Sequence, residues 1–399
     1  MRLQLQSIGL VSLLLLSCTQ QLAPVKALGP ESINFRVVEA PEWTALFQRT
    51  SGWVGADGIF SIPLNGVDSS GGAKDTSTLF VFSDTVFGEI EDGAFSTGFG
   101  MINNSVAVLR GAEPDREQVT FHWKVTAAGK PQSVFIPQKK ESSPSDYFWL
   151  GDGFVNPERN GDIYLFAYRI QNTKAKVFAF KEVGNTLLVI PSGARPPFDT
   201  IRQFDTELFF QKDSVYNGSL GAGLLFNNKA SGALRADDYL YVYGVLGSKK
   251  DVVVARVKPA AIEEWNQWRF WDGKGWNKDK NEAAPIADRA SNELSVTPLP
   301  DGRYAMIFQL DGISNTIGMR LGSSPAGPFG PIIPVWDCSA DTKVDKDFFT
   351  YNAKAHPGLS KKGELLISYN INSFDALNDL KERPDHYRPR FVKIIWEEN

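Results

Sequence analysis

Three carboxylates stand beside strand-like runs in a chain that offers few other reactive groups. Asp57 lies in Gly55-Ala56-Asp57-Gly58, Asp84 in Phe82-Ser83-Asp84-Thr85, and Glu293 in Ser291-Asn292-Glu293-Leu294-Ser295. Carboxyl groups brought together from separate segments can share the work of cleaving an acetal. One protonates the leaving oxygen and the other acts as base or nucleophile. The acid must hold its proton near neutral pH, which burial or a like-charged neighbour arranges. Other chemistries have less to draw on. Three histidines are too few for a His-rich metal site. Gly218-Ser219-Leu220-Gly221-Ala222-Gly223 has neither the order of a nucleophile elbow nor a βαβ context for a dinucleotide. Calcium loops of EF-hand spacing are absent from the sequence.

These acids need a scaffold, and the sequence repeats one. Five apolar-aromatic runs stand out: Leu79-Phe80-Val81-Phe82, Ile163-Tyr164-Leu165-Phe166, Tyr239-Leu240-Tyr241-Val242, Tyr304-Ala305-Met306-Ile307 and Leu365-Leu366-Ile367-Ser368. Each follows a polar or glycine-bearing turn, and strand-like runs flank each on both sides. That makes about four strands per unit and five units of roughly 70 residues, the arithmetic of a five-bladed β-propeller. The chain has 35 Gly and 23 Pro in 399 residues, which suits frequent turns and excludes a helix bundle. A large two-sheet sandwich is the competing all-β reading, but it does not predict five copies of one hairpin. Residues 31–399 read as a single domain, with Ile33–Val38 available as the last strand of the final blade.

In such a ring the start of each inner strand lies beside the end of its antiparallel neighbour. The expected pairs at the mouth are Asp57 with Asp84, Asp152 with Tyr168, Asn217-Gly218 with Tyr243, Glu293 with Asp311, and His356 with Asn370. Asp57 is the expected base. Asp84 or Glu293 is the expected acid, with Glu293 facing the other two across the funnel. Asn104, Trp149, Asp152, Asp311 and His356 are candidate substrate contacts. Each has a plainer alternative. Asp57 and Asp152 could shape turns, Asp84 could cap a loop, and Glu293 could sit in a buried ion pair with Arg289 or Arg320. His356 could be a satisfied core histidine and Trp149 core packing. The group Trp265, Trp268, Trp271 and Trp276 reads as packing or a loop lid.

The order of several motifs resembles a known family. Gly52-Trp53-Val54-Gly55-Ala56-Asp57-Gly58, then Phe82-Ser83-Asp84-Thr85-Val86-Phe87-Gly88 and Asn103-Asn104-Ser105, resemble the opening of a propeller family long labelled a domain of unknown function. Ala255-Arg256-Val257, Trp268-Arg269-Phe270-Trp271-Asp272-Gly273 with Trp276, and Ser323-Ser324-Pro325-Ala326-Gly327-Pro328-Phe329 extend the likeness over roughly residues 50–397. Members are similar to five-bladed propeller glycoside hydrolases akin to arabinanases and fructosidases, and some are endo-acting D-arabinofuranases. The resemblance implies a carbohydrate-active enzyme with an acidic centre at the funnel mouth. The stretch Glu113–Asp146 is a long insertion that would reshape specificity.

The N-terminus carries a different signal. Ile8–Leu16 is apolar but too short to span a bilayer, and Leu15-Leu16-Ser17-Cys18 resembles a bacterial lipobox. Residues 1–17 are then a lipoprotein signal peptide, Cys18 the lipidated residue, and 18–30 a tether. The expected location is the outer membrane or cell surface. Cys338 is left without an intrachain partner and reads as a small buried apolar residue. The formal charge of −4 gives no basic surplus for nucleic acid. No cofactor is expected, although a calcium or sodium ion in the central channel is left open, and the chain reads as a monomer. Two functions are consistent with these features. One is a glycoside hydrolase cleaving a furanosidic, arabinan-like glycan, with inversion favoured by across-funnel acids. The other is a non-catalytic surface glycan-binding lipoprotein.

Overall fold

The computed structural model of the protein describes residues 33–138, 142, 143, 145–175, 178–211 and 216–397. The leader, Cys18 and the tether lie outside the described residues. The described chain is mostly β. After β1 (Phe35–Glu39) and the short helix α1 (Pro41–Leu46) come β2 (Ser51–Ala56), β3 (Phe60–Pro63), β4 (Ser77–Phe82), β5 (Thr85–Glu91), β6 (Ala94–Ile102), β7 (Ser105–Arg110) and β8 (Val119–His122). β9 (Lys124–Val125) and β10 (Pro131–Gln132) form a small hairpin. The next group is β11 (Tyr147–Asn156), β12 (Asp162–Asn172), β13 (Phe180–Ile190) and β14 (Arg202–Asp205). It is followed by β15 (Phe209–Gln211), β16 (Asn217–Phe226), β17 (Leu240–Leu246), β18 (Asp251–Val257), β19 (Arg269–Trp271) and β20 (Trp276–Asn277). Then come β21 (Leu294–Pro298), β22 (Tyr304–Gln309), β23 (Thr316–Gly322), β24 (Ile333–Asp337), α2 (Ser339–Thr342), β25 (Phe348–Ala355), β26 (Glu364–Ser373), α3 (Ala376–Glu382) and β27 (Arg390–Trp396).

These strands pair into five antiparallel meanders in chain order. The first is β3-β4-β7-β8, the second β11 to β14, the third is built on β16-β17-β18-β19, the fourth is β21 to β24, and the fifth is β25-β26-β27-β1. The first strand of the chain therefore completes the last sheet, pairing Phe35 with Trp396 through Glu39 with Val392. β5 and β6, inserted between β4 and β7, form a separate three-stranded sheet with β2, which precedes β3. The β5-β6 hairpin turns on Asp92-Gly93, both at positive φ, the two-residue turn whose twist matches antiparallel strands.

Apolar cores lie between successive meanders. One joins the first and second through Ile62, Val81, Leu165 and Leu188. Others join second to third (Phe166, Leu187, Leu224, Val242), third to fourth (Tyr243, Val254, Val296, Met306) and fourth to fifth (Ile307, Met319, Ile367, Ile394). A further core brings the fifth back to the first through Phe391, Leu366, Phe80 and Phe82, with Phe47 beyond α1 stacked on Phe391. Each second strand is therefore covered on both faces, and each of the five apolar-aromatic runs overlaps one. In β17 every residue is buried. Alternation disappears where neither face meets water, which is why these runs are continuously apolar.

One narrow cavity touches all five first strands, through Phe60, Asp152, Leu224, Ser295 and Lys354. The first strands thus surround a common channel. Three of them are bulged, between Leu150 and Gly153, Leu220 and Gly223, and Tyr351 and Lys354.

Candidate functional site

The carboxylates gather at the end of the channel where the first strands begin. Asp57 and Asp84 are joined through the backbone. The Asp57 N–H donates to the Asp84 carbonyl at 3.1 Å, and the Ser83 N–H to the Asp57 carbonyl at 2.9 Å. The Leu150 N–H donates to Ser83 Oγ at 2.9 Å, which ties the second meander to this corner. Trp149 Nε1 then donates to Asp84 Oδ1 at 3.0 Å, and Asn103 Nδ2 to the same oxygen at 3.3 Å. From the fifth meander, the Tyr351 hydroxyl donates to Asp57 Oδ2 at 2.7 Å. The other oxygen, Asp57 Oδ1, is buried without a hydrogen-bond partner.

Two glycines make this approach feasible. A Cβ on Gly58, at φ +59°, would stand 2.7 Å from Ser83 Oγ and 3.3 Å from Glu293 Oε1. A Cβ on Gly55 would stand 1.9 Å from the Tyr387 carbonyl. The 2.7 and 1.9 Å contacts are closer than a Cβ tolerates, so glycine lets the backbone reach its neighbours. Glu293 thus lies beside Asp57 rather than across the funnel from it. It forms a buried ion pair with Lys354, not with Arg289 or Arg320. The Lys354 ammonium, on a residue 1% exposed, also lies 4.4 Å from the Phe60 ring centre.

Burial raises every one of these acids. It pushes Asp57 up against the opposing effect of the Tyr387 and Tyr351 hydroxyls and the Lys354 charge. Burial, then the charge of Asp57, lifts Asp84 to about 7, with Trp149 and Asn103 opposing. Glu293 is lifted to about 7 by burial, with Lys354 opposing. Two neighbouring carboxyls that resist ionisation can divide acid and base roles near neutral pH. Trp149→Phe removes the indole donor that favours ionised Asp84. The Asp84 titration is then expected to move upward by on the order of one pH unit. Carboxyl-carbon NMR would record it, and an unmoved titration would show that the indole bond does not hold the charge.

The remaining candidates separate. Trp149 belongs to the site through its bond to Asp84. Asp152 lies in the channel with both oxygens already accepting backbone N–H groups, from Gly153 and Leu224, each at 2.8 Å. Burial, then Asp68, raises it to about 7. Asn104 is a clamp and not a substrate contact. Fully buried, it donates to the carbonyls of Phe135 and Phe148 and accepts from the Phe135 N–H; its neighbour Asn103 is the one that reaches Asp84. Asp311 takes the left-handed conformation before Gly312, and Arg289 grips both its oxygens at 2.8 and 2.7 Å. It serves that turn, and Glu293 stands near Gln309 instead, since Leu294 pairs with Phe308. His356 is a satisfied core histidine, with Nδ1 bonded to Ser61 Oγ and Nε2 to Ser368 Oγ. Burial lowers it to about 3. Asn370 pairs with Tyr351 rather than with His356.

In the channel the Lys354 ammonium already faces the Glu293 carboxylate. Cys338 is buried, as a small apolar residue would be. Trp268 is buried in the core with Trp265 against it, and Trp271 packs on Trp276. Among the described residues, no helix is long and apolar enough to cross a membrane.

Several site residues had no signal in the sequence. Tyr351, Lys354 and Tyr387 frame Asp57 and Glu293, and Phe180 packs on Trp149 at 4.5 Å. Ring contacts continue from Phe180 to Phe178, Phe374, Phe349 and Tyr351. A belt of aromatic rings thus runs from the partner of Asp84 to the partner of Asp57. Phe178 is 52% exposed and Phe374 56%.

The model of a family described as "Domain of unknown function (DUF5005)" matches residues 41–396. The chain belongs to this family. Among solved structures, the DUF5005 chain is similar to a protein from Bacteroides ovatus that is provisionally described as a hydrolase. The two share 18% identity over 90% of each chain, with a TM-score of 0.68, a likeness of fold. More distant matches include a GH43_1 enzyme from Xanthomonas citri (13% identity, 88% of this chain and 92% of that one, TM-score 0.40). Another is a variant of the levansucrase of B. megaterium (13% identity, 93% and 91%, TM-score 0.47). No curated protein matches the DUF5005 chain.

Proposed function

We propose that the five meanders are the blades of a five-bladed β-propeller and that its mouth is the active site of a glycoside hydrolase. The observation that carries this reading is the Asp57–Asp84 pair. Two half-buried carboxyls meet across one hairpin, one of them with a buried oxygen that accepts no hydrogen bond, and neither is in an ion pair with Lys or Arg. Asp57 takes a proton from water as the water attacks the anomeric carbon. Asp84 tunes Asp57 through its charge. Glu293 is held by Lys354 and shapes the field from below. The exposed Phe178 and Phe374 offer faces on which the CH patches of a sugar can stack. The substrate class is a furanosidic, arabinan-like glycan, and inversion suits a base set on one wall of the mouth. With residues 1–17 removed, a lipid on Cys18 would hold the enzyme at the outer membrane or cell surface.

The test is reducing-sugar release by the purified protein from arabinans, arabinogalactans and fructans, with binding to each polymer measured alongside. Release from a furanosidic polymer supports the reading. Binding without release would replace it with a surface glycan-binding role, and neither binding nor release would remove both.

A further inference from the structure

The site described so far lacks a proton donor opposite Asp57. Asp84 is bound to Asp57 through the backbone and lies on the same wall, and Glu293 is paired to Lys354. Glu182, near the start of β13, is a third kind of carboxyl. Its strand begins beside Trp149, through Phe180, and its side chain accepts a hydrogen bond from Ser219 Oγ on β16. It therefore leans inward to the first strand of the third blade. Asp57 is held from the other side, by Tyr351 of the fifth. Beside Glu182 the Tyr168 hydroxyl on β12 is buried without a partner. Tyr168 feels the charge of Glu182 first, then those of Glu293 and Asp152. Its phenol lies near Gly151, where an added Cβ would be 3.2 Å away.

We propose that Glu182 is the proton donor of this site, delivering its proton to the leaving glycosidic oxygen from the wall opposite Asp57. The inference rests on the hydrolase reading. As the C–O bond breaks, its electron pair goes to the leaving oxygen, which takes the Glu182 proton. Water bonds to the anomeric carbon and gives its proton to Asp57. Solvent then returns a proton to Glu182 and removes one from Asp57, so the net reaction is hydrolysis.

The surroundings of Glu182 suit that task. Burial lifts it to about 8, opposed only by the Ser219 hydrogen bond. Of the cations nearby, Arg169 on β12 is directed to Asp146 and Asp205, and Lys181 is exposed on β13. A carboxyl so placed stays protonated at neutral pH, as a general acid requires.

The experiment compares Glu182→Gln with the wild type on two substrates. One is the polymer the wild type cleaves. The other is a dinitrophenyl glycoside of the same sugar, whose leaving group departs without a proton. A loss of about 10²–10⁴-fold in kcat on the polymer is expected, with a loss below about tenfold on the aryl glycoside. The basic limb of the kcat/KM pH profile is expected to vanish. Equal losses on both substrates, or an unchanged basic limb, would overturn the assignment. Should Glu182→Gln fail to fold, Ser219→Ala decides: losing the hydroxyl donor moves the basic limb to higher pH, and an unmoved limb overturns it. If the polymer is cleaved and Asp57→Asn abolishes cleavage while Glu182→Gln does not impair it, only this assignment fails. If the wild type cleaves nothing, the hydrolase reading fails and this falls with it.

Discussion

Asp57→Asn is expected to lower kcat on the cleaved glycan by about 10²–10⁴-fold and to leave KM nearly unchanged. The reason is local. Asn matches Asp in shape and keeps an acceptor for the Tyr351 hydroxyl, but its amide cannot take a proton from water. The free Oδ1 of Asp57, buried without a partner, is the position at which that proton would arrive. The same change acts on Asp84, which the Asp57 charge pushes upward. Asp84 in the variant is therefore expected to titrate below about 7. Stability supplies an internal control. Asp57 and Asp84 both titrate higher folded than unfolded, so the folded chain binds protons that the unfolded chain releases. Their contribution is fully present below about pH 4 and is lost as pH rises, for Asp84 through about 7. Asp57→Asn removes one of these groups and lowers the other, so the fall in stability across that window flattens. Thermal melts from pH 5 to pH 8 would show it. A folded variant with wild-type turnover would remove Asp57 from the base role.

Asp57 and Asp84 could be found in advance because nothing irregular separates them from the runs used to count. Asp84 follows Phe82 by two residues, and Asp57 is bonded to it across the first hairpin. The second strands were legible for a related reason, since sheets packed on both faces leave continuous apolar runs. The first strands were not. Bulges after Leu150, Leu220 and Tyr351 insert residues that no pattern announces, and each shifts the pairing beyond it. Counting through the last of them led to His356, whereas Tyr351 stands opposite Asn370 and Lys354 opposite Ser368. Asp311 failed similarly, because its place before Gly312 is set by a turn. Asn104 and Asn103 differ by one residue and point to different tasks, one to the backbone of Phe135 and Phe148 and one to Asp84. Glu182 and Tyr387 come from a third strand and from the segment before β27, and only folding brings them near the mouth.

Lys354→Met is expected to destabilise the fold by about 3–5 kcal/mol near pH 8, because buried Glu293 must then either ionise with no counter-ion or hold a proton that the unfolded chain gives up. Met fills much of the same space and keeps contact with the Phe60 ring, so packing contributes little to the loss. The effect depends on pH in a definite sense. Lys354 lowers Glu293, Asp57 and Asp152 from the values burial alone would impose. Without it these groups hold their protons to higher pH, while the unfolded chain ionises the same carboxyls freely, so the stability lost relative to the wild type grows as pH rises. Near pH 5 Glu293 and Asp152 are protonated, and the wild type itself carries a buried ammonium facing neutral acids, so the difference between the two proteins shrinks. Urea unfolding at pH 5 and pH 8 would measure both values. Glu293→Gln added to Lys354→Met is expected to recover most of the loss, since the amide carries no charge to compensate. Simple additivity of the two changes, with the same cost at both pH values, would show that the pair does not govern the stability of the channel. Recovery in the double variant would identify Lys354 as the built-in counter-charge of the acidic mouth, the one group that lowers Glu293, Asp57 and Asp152 alike.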